Sequence, residues 1–575
     1  MNFLERLRLL LHIIRWRFTW SKKDLDCRPK GAVAPKFITA REAAALIPDG
    51  AVVCSGGLAG NARCSVFFWA IRDLFIKTGH PRRLTWVNVG AQGGRGKVPG
   101  TIEELALPGL MERYIAGHLE TCKGQLKLAE AGQLELHTLP QGVMTMLIDG
   151  QSNGQTMVDS PVGVGTFLDP RVGNGSALTP NAFAQYVALY EGQNRLLYLL
   201  PRIKIALFNA PYADGEGNIY LHHSAAWTES LTAARAARAN GGKVIATVSA
   251  IIPKDEAAIT LPAGEVDHIV LHPYNEQTTS IRQKHYWPMF VPGGEKDLTH
   301  AAEKLHFINN VLKITPVRGE VEYALARLGA QVFASVAPKG AMVNIGVGFP
   351  EEVARQLVAQ HLSDQLLFTT EAGVYGGLPA PGIFFSAAIS PQHLESSVDM
   401  FRRYQTELDV AILGFLEVDS AGNVNASHRG ERITDIVGPG GFPDIATGAG
   451  TIVFIGTWMA GAHFVLRGNK LVIEQPGPCK FVDKVRHITF NAQEALRMGK
   501  HVFYVTNVGV FALTKKGLEL RQVTPGIDVI HDIVQTSAAR IRLPENGQVP
   551  LVDEAVMTGK EFALTLKKRQ AERVM

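Results

Sequence analysis

The sequence predicts an α/β protein built from two related, open and largely parallel sheets, and three observations carry that prediction. Short motifs recur in the same order in the two halves of the chain. Apolar runs of strand length, rich in Val and Ile, are bounded by Gly, Pro or Asp. Helical stretches alternate with those runs, as a parallel sheet requires of its crossovers.

The duplication is legible in three paired segments. Pro48-Asp49-Gly50-Ala51-Val52-Val53 returns as Pro338-Lys339-Gly340-Ala341-Met342-Val343; each copy follows a helical stretch, enters a strand and ends in glycines, Gly56-Gly57 and Gly346-Val347-Gly348. Leu84-Thr85-Trp86-Val87-Asn88 leads to Gly93-Gly94, as Leu367-Phe368-Thr369-Thr370-Glu371 leads to Gly376-Gly377. Asp214-Gly215-Glu216-Gly217-Asn218 parallels Asp419-Ser420-Ala421-Gly422-Asn423. The spacing between partners shrinks along the chain, so the first half carries the longer insertions, chiefly between about Gly94 and Pro211.

The runs Ile203–Phe208, Lys243–Val248, Val410–Leu416 and Thr451–Ile455 read as buried parallel strands, since such strands are covered on both faces and need not alternate. Ala225–Ala239 and Glu351–His361 read as helices between them. The polar run Asn275–Gln283 and the turn Pro292-Gly293-Gly294 mark a connection. The expected organisation is an extension over 1–30, a first α/β domain over 31–275, a connection over 276–318 and a second domain over 319–575.

Composition agrees with this division. A chain of 575 residues is too long for one core. With 46% apolar and 19% charged residues, 57 Gly and 30 Pro, it reads as a soluble, loop-rich enzyme. The formal charge of +5 is small, and no Lys/Arg run interleaves with aromatics, so no nucleic-acid groove is expected. Cys27, Cys54, Cys64, Cys122 and Cys479 are scattered without a CxxC pair, which argues against a disulfide framework or zinc site and for a reducing cytoplasm.

At the N-terminus, Phe3, Leu7, Leu10, Leu11, Ile14 and Phe18 recur at helical spacing opposite Arg8, His12 and Arg15. Glu5, Arg6 and Arg8 interrupt the apolar run, which is too short to span a bilayer, and no small-residue cleavage site follows. Residues 1–20 are thus read in three ways: a helix docked on the protein's own body or on a partner subunit, a basic amphipathic helix in peripheral contact with a membrane, or an organelle-targeting segment, against which Glu5 counts.

Two places carry candidate chemistry. Gly346-Val347-Gly348-Phe349-Pro350 precedes a helix, and glycines there let backbone N–H groups approach phosphate oxygens, with Pro350 suited to the first helical position. The spacing lacks the GxGxxG fingerprint, against a nicotinamide enzyme. Glu371 ends an apolar strand directly before Ala372-Gly373, and ligands of open α/β sheets bind at the carboxyl ends of strands. The duplicate has Asn88 at the matching place, so the fold itself does not require the carboxylate.

Taken in order, the motifs resemble the family I CoA-transferases in their fused single-chain form, from about Ala34 to the final helix. They include Leu139-Pro140-Gln141-Gly142-Val143, Gly163-Val164-Gly165-Thr166-Phe167-Leu168-Asp169-Pro170-Arg171, Tyr212-Ala213-Asp214 with Gly217-Asn218, and Gly241-Gly242-Lys243-Val244-Ile245. The second half adds the Gly346–Pro350 loop, Thr370-Glu371-Ala372-Gly373, Gly376-Gly377-Leu378-Pro379-Ala380, Asp419 with Gly422-Asn423-Val424-Asn425, and Gly438-Pro439-Gly440-Gly441-Phe442.

The resemblance implies that Glu371 is the nucleophile, that Gln141 and the Gly438 backbone stabilise oxyanions, and that Gly346, Val347, Gly348, Phe349, Pro350 and Gly440 cradle CoA. It implies CoA as a co-substrate with no tightly bound cofactor and no metal, acyl-CoA and carboxylate substrates, and a homo-oligomer. Ala372 departs from the pattern, since relatives resembling propionate CoA-transferase usually have Ser there; the departure is read as bearing on substrate choice. An acyl-CoA hydrolase using the same Glu371, or a non-catalytic acyl-CoA-binding protein, are the alternatives.

A carboxylate nucleophile suits CoA exchange because each adduct it forms is still an activated acyl group. Glu371 must then ionise near neutral pH, so the expectation is a site that is not deeply apolar, with N–H donors holding its pKa low. Tyr375, Phe384 and Phe385 are candidates for the acyl pocket. Asp214 and Asp419 are read as turn formers. His222, His223 and His428 have no metal-ligand spacing.

Overall fold

In the computed structural model, which describes residues 1–94, 98–182, 186–190 and 192–568, the main path of the first sheet has eight strands, all parallel. Their order is Phe37–Ile38, His268–Leu271, Lys243–Ile251, Ile205–Ala213, Val52–Ser55, Leu84–Asn88, Met111–Ala116 and Glu135–Thr138. In the second sheet, Leu367–Thr370, Met342–Ile345, Val410–Gly414, Thr451–Ile455 and His501–Thr506 run parallel, with antiparallel strands added at both ends.

The duplication is visible in this order. From Leu84–Asn88 the first sheet steps to Val52–Ser55, then Ile205–Ala213, Lys243–Ile251 and His268–Leu271, the same sequence of moves as the parallel part of the second sheet. The extra strands Met111–Ala116 and Glu135–Thr138, and a three-stranded antiparallel sheet of Met157–Ser160, Leu196–Leu199 and Val187–Leu189, fall between Gly94 and Pro211. That is the region where the shrinking spacing called for insertions.

Burial explains the sequence pattern of the central strands. Leu84–Asn88 and Met342–Ile345 are buried at every position, because helices cover both faces of each sheet. One apolar layer of the first sheet includes helices Gln141–Ser152 and Ser230–Ala239; the other includes Ala40–Ala45, Ser65–Thr78 and Lys123–Glu130. Helix Ser397–Glu407 of the second half packs on Gln141–Ser152 of the first, and Arg402 pairs with Asp149 at 2.6 Å across that contact.

Boundaries differ from the sequence reading where backbone geometry intervenes. Thr451–Ile455 is a strand as expected, whereas the Ile203–Phe208 run starts at Ile205 and continues to Ala213. The helix expected from Ala225 begins only at Ser230, because Thr228 sits at φ 56°, outside the helical region. The stretch 276–318 is structured rather than a bare linker: it holds the hairpin Glu276–Thr278/Ile281–Arg282 and helix Leu298–Val311, with Gln277, Thr278 and Asn309 buried. Asp214 and Asp419 do form turns, each accepting backbone N–H bonds from residues two and four positions ahead.

The N-terminal helix spans Phe3–Thr19 and opens with a reciprocal Asn2/Glu5 cap. It docks on the protein's own body, near helix Leu298–Val311, but through a different stripe from the one expected. Leu9, Ile13 and Trp16 are buried, while Phe3, Leu7, Leu10, Leu11, Ile14 and Phe18 are exposed. The reason is that the polar anchors share the buried side: Glu5 meets His300 at 2.8 Å and the Trp16 indole donates to Glu276 at 3.1 Å. Among the described residues no helix is long and apolar enough to cross a membrane.

Candidate active site

The carboxyl ends of strands from both sheets face each other across a cavity of about 380 Å³. After Val52–Ser55 the first half contributes Leu58 to Gly60; after Leu84–Asn88, Ala91 and Gly93; after Met111–Ala116, His118; after Glu135–Thr138, Gln141. The second half contributes Gly346 and Val347, Glu371, the Leu413–Leu416 segment and the Gly438–Gly441 loop.

Glu371 stands at the tip of a tight reversal. Strand Leu367–Thr370 turns through Glu371, Ala372 and Gly373 and returns antiparallel as Val374–Tyr375, with Gly373 N–H closing onto Thr370 O at 3.1 Å. Gly373 lies at φ 87°, and a Cβ there would fall 1.9 Å from Glu395 O, so no side chain fits. The carboxylate is thereby held between the larger cavity and a second one of about 270 Å³, which it also lines.

Only 7% of Glu371 is exposed, and burial raises its pKa above the ordinary carboxylate value; its own backbone N–H and the Asn344 amide act in the opposite direction. The expectation of a carboxyl held low by surrounding donors is therefore corrected. Desolvation outweighs the two donors, since enclosure between the halves removes the water that would stabilise the charge. Asn88, the counterpart expected from the sequence, is fully buried, donating to Ser55 O at 3.3 Å and accepting from the Tyr114 hydroxyl at 3.2 Å. The strand register corrects the sequence match by one residue: Cys54 pairs with Val87 and Asn344 with Thr369, so Asn88 stands level with Thr370 and Glu371 lies one position beyond it.

Gln141 begins helix Gln141–Ser152 and lines the larger cavity; its N–H donates to Gly440 O at 3.1 Å. The next two N–H groups of that helix end, Gly142 and Val143, are capped from the other half by Asp444, at 3.0 and 3.1 Å. A Cβ on Gly142 would lie 2.5 Å from Asp444 Oδ1, so the close approach requires glycine. Burial pushes the Asp444 carboxyl up to about 7, although these two donors favour its ionised form.

The loop from Gly438 to Gly441 closes the opposite wall. Gly438 (φ 79°) donates its N–H to Ser427 O at 3.2 Å, and Gly440 donates to Gly117 O at 2.8 Å. Gly441 comes nearest the carboxylate: a Cβ there would sit 3.2 Å from Glu371 Cγ.

Glu371, Gln141, Gly438, Gly346, Val347 and Gly440 thus share one cavity, whereas Gly348, Phe349 and Pro350 lie outside its lining. Pro350 occupies the first position of helix Pro350–Ala359, Gly346 N–H is engaged by Ile412 O at 2.8 Å, and Gly348 N–H by Glu351 at 3.0 Å. Of the aromatic candidates only Phe385 reaches the site, lining both cavities; Tyr375 stacks on His393 at 4.3 Å and Phe384 on Phe290 at 5.6 Å. Ala372 lines neither cavity and packs with Leu58, Ala226, Val374 and Ala388.

Sequence reasoning missed Asn344 and Asp444. Asp444 had a local signal, an acid in the first turn after Pro443, but its partners lie some 300 residues away in sequence. Among the described residues no group of three or more His, Cys, Asp or Glu could hold a metal ion. All five cysteines are free, and His223 stacks on Tyr286 at 4.0 Å.

The arrangement of two matched sheets has counterparts among known proteins. A family model described as coenzyme A transferase matches residues 37–272. Caffeate CoA-transferase of Acetobacterium woodii is 30% identical over 87% of this chain and 93% of its own length. Acetate CoA-transferase YdiF of Escherichia coli K12 is 30% identical over 86% of this chain and 91% of its own. The crystal structure of acyl-CoA transferase YdiF from E. coli O157:H7, in a thioester complex with CoA, superimposes with a TM-score of 0.81 at 26% identity, covering 94% of this chain and 100% of that one. The chain belongs to the coenzyme A transferase family, and its reaction class is CoA transfer.

Proposed function

We propose that the protein exchanges CoA between an acyl-CoA and a free short-chain carboxylate by a ping-pong mechanism on Glu371. The observation that carries this reading is the placement of one buried carboxylate at the junction of two cavities, one for each side of the transfer. The reported thioester complex of the YdiF relative with CoA supports it.

The Glu371 carboxylate attacks the acyl-CoA carbonyl and expels CoA thiolate, giving a mixed anhydride. The thiolate attacks the Glu371 carbonyl of that anhydride, releasing the first acid as its carboxylate and leaving a glutamyl-CoA thioester. A second carboxylate attacks the thioester, and the released thiolate attacks the new acyl carbonyl to give the product acyl-CoA and free Glu371. Every intermediate retains one activated carboxyl, as an anhydride or a thioester, so the exchange consumes neither ATP nor a redox equivalent.

Two carbonyls become tetrahedral in turn, and donors are needed on two sides. The Gln141 side-chain amide serves one. The Gly438 backbone serves the other once its N–H turns from Ser427 O, with the Gly441 backbone beside it nearest Glu371. Each donor contributes on the order of 3 kcal/mol to the barrier reduction. Gly346, Val347 and Gly440 contact CoA, with Gly348, Phe349 and Pro350 shaping the loop beneath. The functional units are 31–275 and 319–575, joined through 276–318, in a cytoplasmic homo-oligomer.

The test is peptide mass spectrometry after mixing with acetyl-CoA or propionyl-CoA, without acceptor, followed by borohydride. Reduction of the Glu371 side chain to its alcohol is expected. An unreduced Glu371 peptide across a broad panel of acyl-CoAs would overturn the covalent mechanism.

A further inference from the structure

The N-terminal helix presents an apolar face that its own fold does not use. At 3.6 residues per turn, Phe3, Leu7, Leu10, Leu11, Ile14 and Phe18 occupy an arc of about 100° on the helix. All six are exposed, Phe3 at 77%, Leu11 at 57% and Phe18 at 86%. The same geometry sets Arg8 and Arg15 along one margin of the arc and Arg6 and Arg17 along the other, and all four are exposed. Among the described residues no carboxylate forms an ion pair with any of these four arginines.

This helix is fixed in place rather than trailing from the body. Its buried stripe of Leu9, Ile13 and Trp16 lies opposite the exposed arc. The Met1 amino group meets Glu303 at 3.1 Å, Glu5 meets His300 at 2.8 Å, and Arg282 donates to Thr19 O at 2.6 Å. The outward face is therefore held in a fixed orientation. Trp16 and Arg17 also line the larger cavity, so its wall adjoins the helix.

We infer that this face seats the protein on an anionic lipid bilayer, with the helix lying in the interfacial plane and the active-site cavity beside the membrane. An apolar arc between two rows of arginine matches a surface with acyl chains below and phosphates around. A second copy of the chain fits poorly. Pairing two such faces would bring the arginine rows together without an acid between them, because the helix's one acidic residue, Glu5, is turned to His300. This inference does not depend on the covalent mechanism, and its test needs no turnover.

The experiment is co-sedimentation of the full chain with phosphatidylcholine vesicles, with and without phosphatidylglycerol. At low salt the anionic vesicles should retain about ten-fold more protein, and about 1 M NaCl should reverse most of the gain, since the screening length falls to about 3 Å. The triple variant Leu7→Ser/Leu11→Ser/Ile14→Ser changes exposed positions only. It should keep its circular dichroism, melting temperature and any solution activity while losing vesicle binding. Absence of binding by the natural chain, or equal binding by the triple variant, overturns the inference. So does a concentration-dependent dimer that the triple variant abolishes while vesicles stay bare; in that outcome the face belongs to a second copy.

Discussion

Asp444 accepts the Gly142 N–H at 3.0 Å from across the boundary between the two halves of the chain. The bond links helix Phe442–Gly448 to the helix that opens with Gln141, so this carboxylate, together with the Gln141–Gly440 and Gly440–Gly117 backbone bonds, joins the two halves at the site. Capping a helix N-terminus by an acid is ordinary; here the acid comes from a helix of the other half, and the capped helix carries Gln141 into the cavity.

Asp444→Asn should therefore loosen Gln141 without emptying the site. One acceptor remains, so the expected result is a 10- to 100-fold loss of kcat, about the cost of a small misplacement, with KM changed far less. Asp444→Ala leaves two buried N–H groups unpaired, costing about 1–3 kcal/mol of stability each, read by denaturant unfolding. Unchanged kcat in the Asn variant would remove Asp444 from the positioning of Gln141.

Glu371→Gln should abolish transfer, by about four orders of magnitude or more, and also stabilise the fold. Burial raises the native pKa of Glu371 above its unfolded value, so the native state favours the protonated form. Its contribution to stability is present below the unfolded value and is lost as pH rises through the native one. The melting temperature of the Gln variant should exceed that of the natural protein by a margin that widens as pH rises from the ordinary glutamate value through the native one and then levels off. Because the nucleophile must be ionised, kcat/KM of the natural protein should climb with pH on a limb lying above the usual glutamate range. A margin that shrinks with pH would contradict the raised pKa.

The fold was legible because duplication and buried strands are local patterns. Pro48–Val53 and Pro338–Val343 reveal themselves as copies, and Thr451–Ile455 reads as a strand from its own residues. Glu371 was legible as a candidate for a related reason: it ends an apolar strand directly before glycines, where open sheets bind ligands, although its match to Asn88 was off by one residue. What stayed hidden was non-local. Nothing near Glu371 in sequence announces that the opposite sheet will exclude its water, and nothing near Gly142 announces Asp444. The docked stripe of the first helix was misread because Leu9, Ile13 and Trp16 compete with a larger apolar arc, and only the body they meet decides between the two.

Gln141→Ala should slow the chemical step rather than weaken CoA binding. In the proposed mechanism the side chain offers a neutral amide to an oxygen that becomes charged only in the tetrahedral state, so its bond would strengthen along the reaction. Removing such a donor typically costs 10²- to 10³-fold in kcat, about 3–4 kcal/mol. Stopped-flow measurement of thioester formation at saturating acyl-CoA isolates that step. A change confined to KM would assign Gln141 to ground-state binding instead.

Acyl length should be set by Phe385, which borders both cavities and is the one aromatic candidate that reaches them. The smaller cavity, about 270 Å³, has apolar walls from Ile345, Ala354 and Val358, and its Arg355 donates to His306 at 3.1 Å. Ser386 is 1% exposed there, with its hydroxyl unpaired among the described residues, while its carbonyl accepts from the Thr370 hydroxyl at 2.8 Å. An apolar chain with a polar substituent suits that lining better than a bare alkyl chain, because an unmet buried hydroxyl costs about 1–3 kcal/mol. Phe385→Ala should enlarge the space and raise kcat/KM for hexanoyl-CoA relative to propionyl-CoA by about ten-fold or more, each added methylene being worth about 1–3 kcal/mol in an apolar pocket. Ser386→Ala should leave plain alkyl acids unaffected and reduce discrimination in favour of their hydroxy or oxo counterparts. Paired substrate panels on the two variants separate the effects, and an unaltered length profile in Phe385→Ala would move the acyl group out of this cavity.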